Sequence, residues 1–375
     1  MDKLKVTIFY DSVEDEMAAA DADIPVYRQV LQSLETRGHQ VKAMAAESKI
    51  KSLVAQLEND DSDIIMNLCE SLAGVDLLAI NVASLLEFMG KPFTGTGSVG
   101  LILAQDKGLS KKLFHFHGIK YPKFSIMDAG QVEWSDKLSF PVFVKPLNAD
   151  SSVGIDQKAI VRNIKELMER ISYIHTEINA PALIEEYIEG REIYVGVLGN
   201  EKMEALPLVE WDFSKLQRNQ RIATAEAKWN KDSEGYKAPE VFPEDIPEQV
   251  QKGIQQAAID ACRSLKILDY GRVDFRLRTR KKPGEEGRDN PEEWEFFIIE
   301  VNPNPYLDHK TAFAMGAKKK GLSYAEMVEK IIELAMKRRK LHGRWSLFRD
   351  GGVVPSAGEG EEDPPLLPGS SSGSP

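Results

Sequence analysis

Short apolar runs and amphipathic stretches alternate over residues 5–89. KVTIFY (5–10) reads as a buried first strand. Pro25 to Arg37 reads as a helix: Val26, Val30, Leu31 and Leu34 form its apolar stripe, and Gly38 suits the position just past its end. QVKAMA (40–45) is a second strand, Ile50–Leu57 a short helix, DIIMNL (63–68) a third strand and Val75–Met89 a strongly apolar helix. Such alternation predicts a parallel sheet covered on both faces. Ligands then bind off the carboxyl ends of the strands, which directs attention to Asp11–Glu16 and Cys69–Gly74.

The pattern changes further on. GTGSVG (95–100) matches G-x-G-x-x-G literally. A dinucleotide fingerprint should follow the first strand of its unit, and this stretch comes too late, so it reads as a tight strand-to-helix connection. Asp106–His117 is a basic helix, and FPVFVKP (140–146) is a strand ending in Lys145. Ile160–His175 reads as a helix, with ALIEEYI (182–188) and REIYVGVLGN (191–200) as strands. Trp211–Val241 is polar and lacks a clear period, so it reads as a long loop of the kind that forms lids. Val250–Leu265 is an amphipathic helix. GRVDFRLR and EFFIIEVNPNPYLD, within Gly271 to Asp308, are two strands joined by a charged loop. Ser323 and Glu326 form a capping box for a last helix from Tyr324 to about Lys340.

Length and composition narrow the class. The chain has 375 residues, enough for two or three domains. A net charge of −11 argues against nucleic-acid binding, which needs basic surface. The two cysteines, Cys69 and Cys262, are too few and too distant in sequence for a disulfide scaffold or a zinc site, which suits a reducing cytoplasm. The N-terminus turns acidic after six strand-like residues, unlike a signal peptide, and no apolar run approaches the ~20 residues of a membrane span. Residues 343–375 are rich in Gly, Pro, Ser and acid and are expected to be disordered.

The chemistry gathers on the two late strands. Side chains alternate across a strand, so Arg272 and Asp274 share one face of the first, and Glu300 and Asn302 share one face of the second. If the strands pair, three oxygen ligands and an arginine meet, a set suited to a hard divalent cation on a phosphate. Elsewhere, Lys145 precedes a loop with Ser151, Ser152 and Gly154, a sensible phosphate cradle. Lys107 could touch phosphate or stay solvated. Glu185 and Glu192 could accept hydrogen bonds from an adenine amine or a ribose, or be ordinary strand residues. Lys228, in the loop, is a further candidate for phosphate.

Taken in order, these parts resemble the ATP-grasp superfamily and, within it, the D-alanine–D-alanine ligase family. PFTGTG, QDKGLSKKLF, FPVFVKP, DSSVG, LIEEYIEGREIYVGVLG, EAKW, GRVDF, IIEVNPNP and GLSYAEMVEKIIELA carry the resemblance over about residues 90–338. It implies an α/β fold, α+β in the ATP-grasp part. A parallel-sheet domain (1–95) would precede a central subdomain (96–188) and a C-terminal subdomain with lid and metal site (189–342). The implied activity is an ATP-dependent carboxylate–amine ligase working through an acyl-phosphate, with two Mg²⁺ ions (or Mn²⁺) and small-molecule substrates, in peptidoglycan biosynthesis. Homodimer formation is left open.

The family roles transfer by motif. Lys107 and Lys145 would contact ATP phosphates, and Ser151, Ser152 and Gly154 would close on them. Glu185, Glu186, Tyr187 and Ile188 would form the hinge facing adenine, and Glu192 would bind ribose. Lys228 would reach the γ-phosphate. Asp274, Glu300 and Asn302 would hold the metals, and Arg272 would stabilise the acyl-phosphate. Glu14 and Glu16 are both candidates for the glutamate that holds the substrate's amino group. The departures lie on the substrate side. NLCESLAGVD replaces the histidine–glycine and G-E-D-G segment, Trp229 follows the lid lysine, and Tyr306 stands where a glycine is expected. Alternatives are a ligase for another amino acid or small carboxylate, a small-molecule kinase, and a nucleotide-binding protein without turnover.

Overall fold

The computed structural model describes residues 2–12, 24–130, 138–148, 153–217, 221–281 and 292–341. Its described strands form three sheets. The first is parallel, in the order β2–β1–β3: β1 (Lys5–Asp11) pairs with β2 (Gln40–Ala46) and β3 (Ile64–Asn67). Its helices are α1 (Val26–Thr36), α2 (Ile50–Glu58) and α3 (Leu78–Phe88). The alternating pattern produces this layering. Ile8 belongs to a cluster with Val30 and Leu34 of α1, while Phe9 belongs to another with Leu53 of α2 and Val82 of α3, so both faces of β1 are covered.

The second sheet is four-stranded and antiparallel, in the order β4 (Phe124–Met127), β7 (Ala182–Glu186), β5 (Val142–Pro146), β6 (Ile160–Val161). α4 (Ser98–Gln105) and α5 (Lys107–Phe116) precede it, and α6 (Ile164–Tyr173) lies between β6 and β7. The third sheet runs β11 (Glu240–Val241), β10 (Val209–Trp211), β8 (Arg191–Gly199), β12 (Tyr270–Lys281), β13 (Glu292–Pro303), and β9 (Met203–Ala205) pairs with β8. α7 (Ala225–Trp229) lies between β10 and β11, and α8 (Glu248–Ser264) between β11 and β12. α9 (Ala312–Lys319) and α10 (Tyr324–Leu341) follow β13. α10 packs its Met327, Ile331 and Ile332 into the cluster that holds Val30 and Leu34 of α1, joining the end of the described chain to the first sheet.

Several expectations need correction. The helix expected from Ile160 starts at Ile164, because Ile160 and Val161 pair with β5 and the Asn163 side chain accepts from the Glu166 amide at 3.0 Å as an N-cap. The stretch 211–241 is not featureless. Thr224 caps α7, accepting from Ala227 N at 3.0 Å, and Glu240–Val241 adds the edge strand β11. The strand expected over 182–188 ends at Glu186, and the helix expected from Val75 begins at Leu78. α4 and α9 were not anticipated. The expected disordered tail at 343–375 lies outside the described residues.

GTGSVG is a docking loop. Gly95 N donates to Asp269 at 2.8 Å, Thr96 N donates to Asn304 Oδ1 at 2.7 Å, and Leu268 N donates to Thr96 Oγ1 at 3.1 Å. Gly95 has φ +92°, and a Cβ there would press on the Asn304 side chain. Asp269 is fully buried and also binds Arg338 at 2.8 Å and Asn200 at 2.9 Å.

Candidate active site

β12 and β13 pair antiparallel with Arg272 opposite Asn302 and Asp274 opposite Glu300. The four side chains therefore share one face of the sheet. Arg272 forms a two-point contact with Asp274, Nε to Oδ1 at 2.7 Å and Nη2 to Oδ2 at 2.9 Å. Asn302 Nδ2 donates to Asp274 Oδ2 at 3.0 Å. The Arg272 guanidinium lies 4.9 Å from the Tyr194 ring centre, a cation–π contact that fixes its orientation. Past Asp274 the register slips, so that Phe275 pairs with Ile298 and Ile299 is the extra residue of a bulge. Lys111 Nζ donates to the Ile299 carbonyl at 3.2 Å.

Helix α5 carries the cations that face this platform. Asp106 caps it, accepting from Leu109 N at 2.9 Å. Lys107 and Lys111, four apart, project on one side. Lys107 Nζ sits 2.8 Å from Glu300 Oε1. Burial alone would raise the Glu300 carboxyl, but Lys107 first, then Lys145 and Lys228, hold it down to about 2. Lys111 Nζ is 2.7 Å from Glu185 Oε1, and Lys145 Nζ is 3.0 Å from Glu185 Oε2. All three side chains of that triad are almost fully buried. Burial opposes the charge on Glu185, and the two ammonium groups outweigh it and hold the carboxyl below its usual range.

Most expected site residues fall around this face. Glu192 on β8 pairs with Arg276 at 2.9 Å and accepts from the Tyr194 hydroxyl at 3.2 Å. Glu186 lies 3.7 Å from Arg278, and Ile188 is buried. Burial raises the Tyr187 phenol. Lys228 is on α7, close enough for its charge to lower Glu300. Gly154, at φ +71°, offers its carbonyl to Arg170. Tyr306 follows β13 and is 45% exposed. Glu185 departs from expectation. Its carboxylate is spent on two lysines rather than presented to an adenine amine. Glu14, Glu16, Ser151 and Ser152 lie outside the described residues, as does the loop at 282–291.

Three residues were missed. Lys111 could have been found from its four-residue spacing to Lys107 on a basic helix. Arg276 continues the alternation of Arg272 and Asp274 and clamps the turn before β8, donating to Gly190 O and Arg221 O at 3.0 Å each. Glu240 sits in the stretch taken for a loop and carried no sequence signal.

Gly190 occupies that turn because a Cβ would run into the Leu277 carbonyl, a backbone atom that cannot swing aside. Gly190→Ala is therefore expected to destabilise the protein by about 1–3 kcal/mol and to weaken binding of a non-hydrolysable ATP analogue, since Arg276 and Glu192 are anchored there. Unchanged melting temperature and affinity would show that the turn relaxes freely.

Two carboxylates and an amide on a paired hairpin, faced by buried lysines from a helix and a second antiparallel sheet, define the ATP-grasp class of site. The D-ala D-ala ligase C-terminus family model matches residues 103–333. The chain belongs to the D-alanine–D-alanine ligase family, and it is an ATP-dependent ligase of that type. A Sinorhizobium fredii protein described as uncharacterized protein y4sG is 30% identical over 314 residues, covering 82% of this chain and 87% of that one. The D-alanine–D-alanine ligase of Bordetella petrii is 30% identical over 261 residues, 67% of this chain and 70% of that one. A crystal structure of D-alanine–D-alanine ligase from Bacillus anthracis complexed with ATP shares the fold, with TM-score 0.68 at 20% identity, covering 90% of this chain and 99% of that chain. Among the described residues, no helix is long and apolar enough to cross a membrane.

Proposed function

We propose that the chain joins the carboxylate of one small molecule to the amine of another, through an acyl-phosphate made with ATP, at the face of β12 and β13. The observation that carries this reading is the convergence of Arg272, Asp274, Glu300 and Asn302 with Lys107 and Lys145. A carboxylate is a poor electrophile. Phosphorylation gives it a good leaving group, and the incoming amine then displaces phosphate.

The donor set fits Mg²⁺. Asp274, Glu300 and Asn302 present hard oxygens on one face, and Glu300 is held ionised. Among the described residues, no three His, Cys, Asp or Glu side chains converge, so the amide of Asn302 completes the set. When bound, the metal would neutralise phosphate charge and polarise the transferring group.

The remaining work falls to this chain's own side chains. Lys107 and Lys145 hold positive charge where phosphates would lie, and Lys228 adds charge from α7. Arg272, held over Tyr194, would meet the oxygens of the acyl-phosphate. The segment around α7 would exclude water from that intermediate.

D-alanine is the first candidate for both substrates, on the strength of the relatives' names. A different amino acid is the second, because Tyr306 and the Pro303–Asp308 segment depart from the family pattern. Phosphate release from Mg·ATP, measured with single amino acids and with pairs, tests the proposal. Release that needs two substrates is expected. A stable phosphorylated product would make the protein a kinase, and no release with any pair would overturn the ligase reading.

A further inference from the structure

The register of the third sheet places another acidic residue on the platform's face. Glu240 pairs with Trp211, Trp211 with Glu192, and Glu192 with Arg276 across β11, β10, β8 and β12. The next row contains Val209, Tyr194, Asp274 and Glu300. Residues opposite each other in antiparallel strands lie on the same face, and so do residues two apart on one strand. Glu240 therefore belongs to the surface that carries the metal platform.

Its neighbours on that face have partners. Glu192 has Arg276, Asp274 has Arg272 and Asn302, and Glu300 has Lys107. Glu240 differs: its Oε2 is buried and has no hydrogen-bond partner among the described residues. Arg272 is near enough to act on Glu240 electrostatically, yet its Nε and Nη2 are committed to Asp274. Burial pushes the Glu240 carboxyl up to about 7, against the pull of Arg272 and with the help of Asp274. The walls nearby are aromatic. Trp211 lies 4.8 Å from Phe213 and 6.4 Å from Tyr194 between ring centres, and Trp211 spends its indole N–H on the Ala238 carbonyl at 3.1 Å. A buried carboxylate oxygen without a partner is a defect in a resting fold unless something binds it. Carboxylate beside aromatic rings is the chemistry that receives an organic cation.

We propose that Glu240 is a specificity-determining residue, and that one of the two substrates carries an ammonium or guanidinium group, beyond its reacting groups, that docks against this carboxylate. The proposal rests on the ligase reading of the same site and narrows the substrate to a cationic amino compound. Such a substrate gives the orphan oxygen a charge-assisted hydrogen bond and keeps Glu240 ionised. A neutral substrate of the same shape leaves both groups unsatisfied.

The test is equilibrium binding to the full chain, saturated with Mg²⁺ and a non-hydrolysable ATP analogue, at pH 8.5. The probes are arginine against citrulline and lysine against norleucine, each in the D and L forms. At least a tenfold preference for one cationic member is expected. Glu240→Gln should reduce it to within about twofold while binding the ATP analogue as the unmodified protein does. Glu240→Asp, which keeps the charge, should retain part of the preference and guards against a folding failure of the Gln variant. Equal binding within every pair, binding of no probe at all, or a preference that survives in Glu240→Gln would each overturn the proposal. Phosphate release with the same pairs is read separately. A binding preference without release with any pair would retire the ligase reading and leave the subsite standing, while release indifferent to charge would do the reverse.

Discussion

Replacing Glu300 with Gln is expected to lower the rate of phosphate release by at least about a thousandfold, the scale on which preorganised charge acts in such sites. The substitution keeps the shape of the side chain and removes one negative charge. That charge has two roles in the structure. At rest it neutralises Lys107, at 2.8 Å. In the proposed reaction it would be the hard oxygen ligand opposite Asp274 on the paired hairpin. A neutral amide offers a metal ion one weaker oxygen and offers Lys107 no ion pair. The loss of the metal ligand acts after nucleotide has arrived, so turnover should fall far more than affinity for a metal-free ATP analogue changes. Initial rates with saturating substrates, beside analogue binding, check the result. Near-normal turnover would remove Glu300 from the metal set.

Glu185→Gln should act on the fold more than on the chemistry. Glu185 sits between Lys111 and Lys145, and the three side chains are nearly sealed from water. Breaking a buried pair by removing one partner costs about 3–5 kcal/mol, because the remaining charge has neither water nor a counter-ion. Here two ammonium groups are stranded together, each opposing the other. A fall in melting temperature on the order of 10 °C follows from the usual size scaling. Substituting Lys111 with Met in the same chain should recover much of the loss, since an apolar side chain of similar length fills the space without charge. The comparison separates stranded charge from lost packing. If Glu185→Gln melts as the unmodified protein does, the triad contributes nothing to stability.

How far the sequence revealed these features depended on how local each one was. The parallel sheet was legible because buried strands such as Ile64–Asn67 are continuous apolar runs bounded by helical periodicity. The platform was legible because alternation along β12 and β13 fixes which side chains share a face, whatever the rest of the chain does. The triad was only half visible. Glu185 was open to two readings, a nucleotide contact or an ordinary strand residue, because nothing local shows that α5 lays Lys111 across it; that contact joins positions 74 residues apart in sequence, the difference between 111 and 185. Glu240 was invisible for a related reason. A two-residue edge strand has no period to detect, and its place is set by pairing with Val209–Trp211. GTGSVG, read as a tight connection because it comes too late for a dinucleotide fingerprint, uses its glycine and threonine for close packing against Asp269 and Asn304.

The lysines of α5 and β5 bear on how nucleotide would enter the proposed site. Among the described residues, the ammonium groups of the cleft floor are already engaged: Lys107 has Glu300, and Lys111 and Lys145 share Glu185. A phosphate chain with its metal would bring both signs of charge into a cleft whose cations already have ionic partners. Binding is then an exchange of ionic partners at nearly constant local charge. Affinity is set by the difference between the incoming set of contacts and the internal set it displaces.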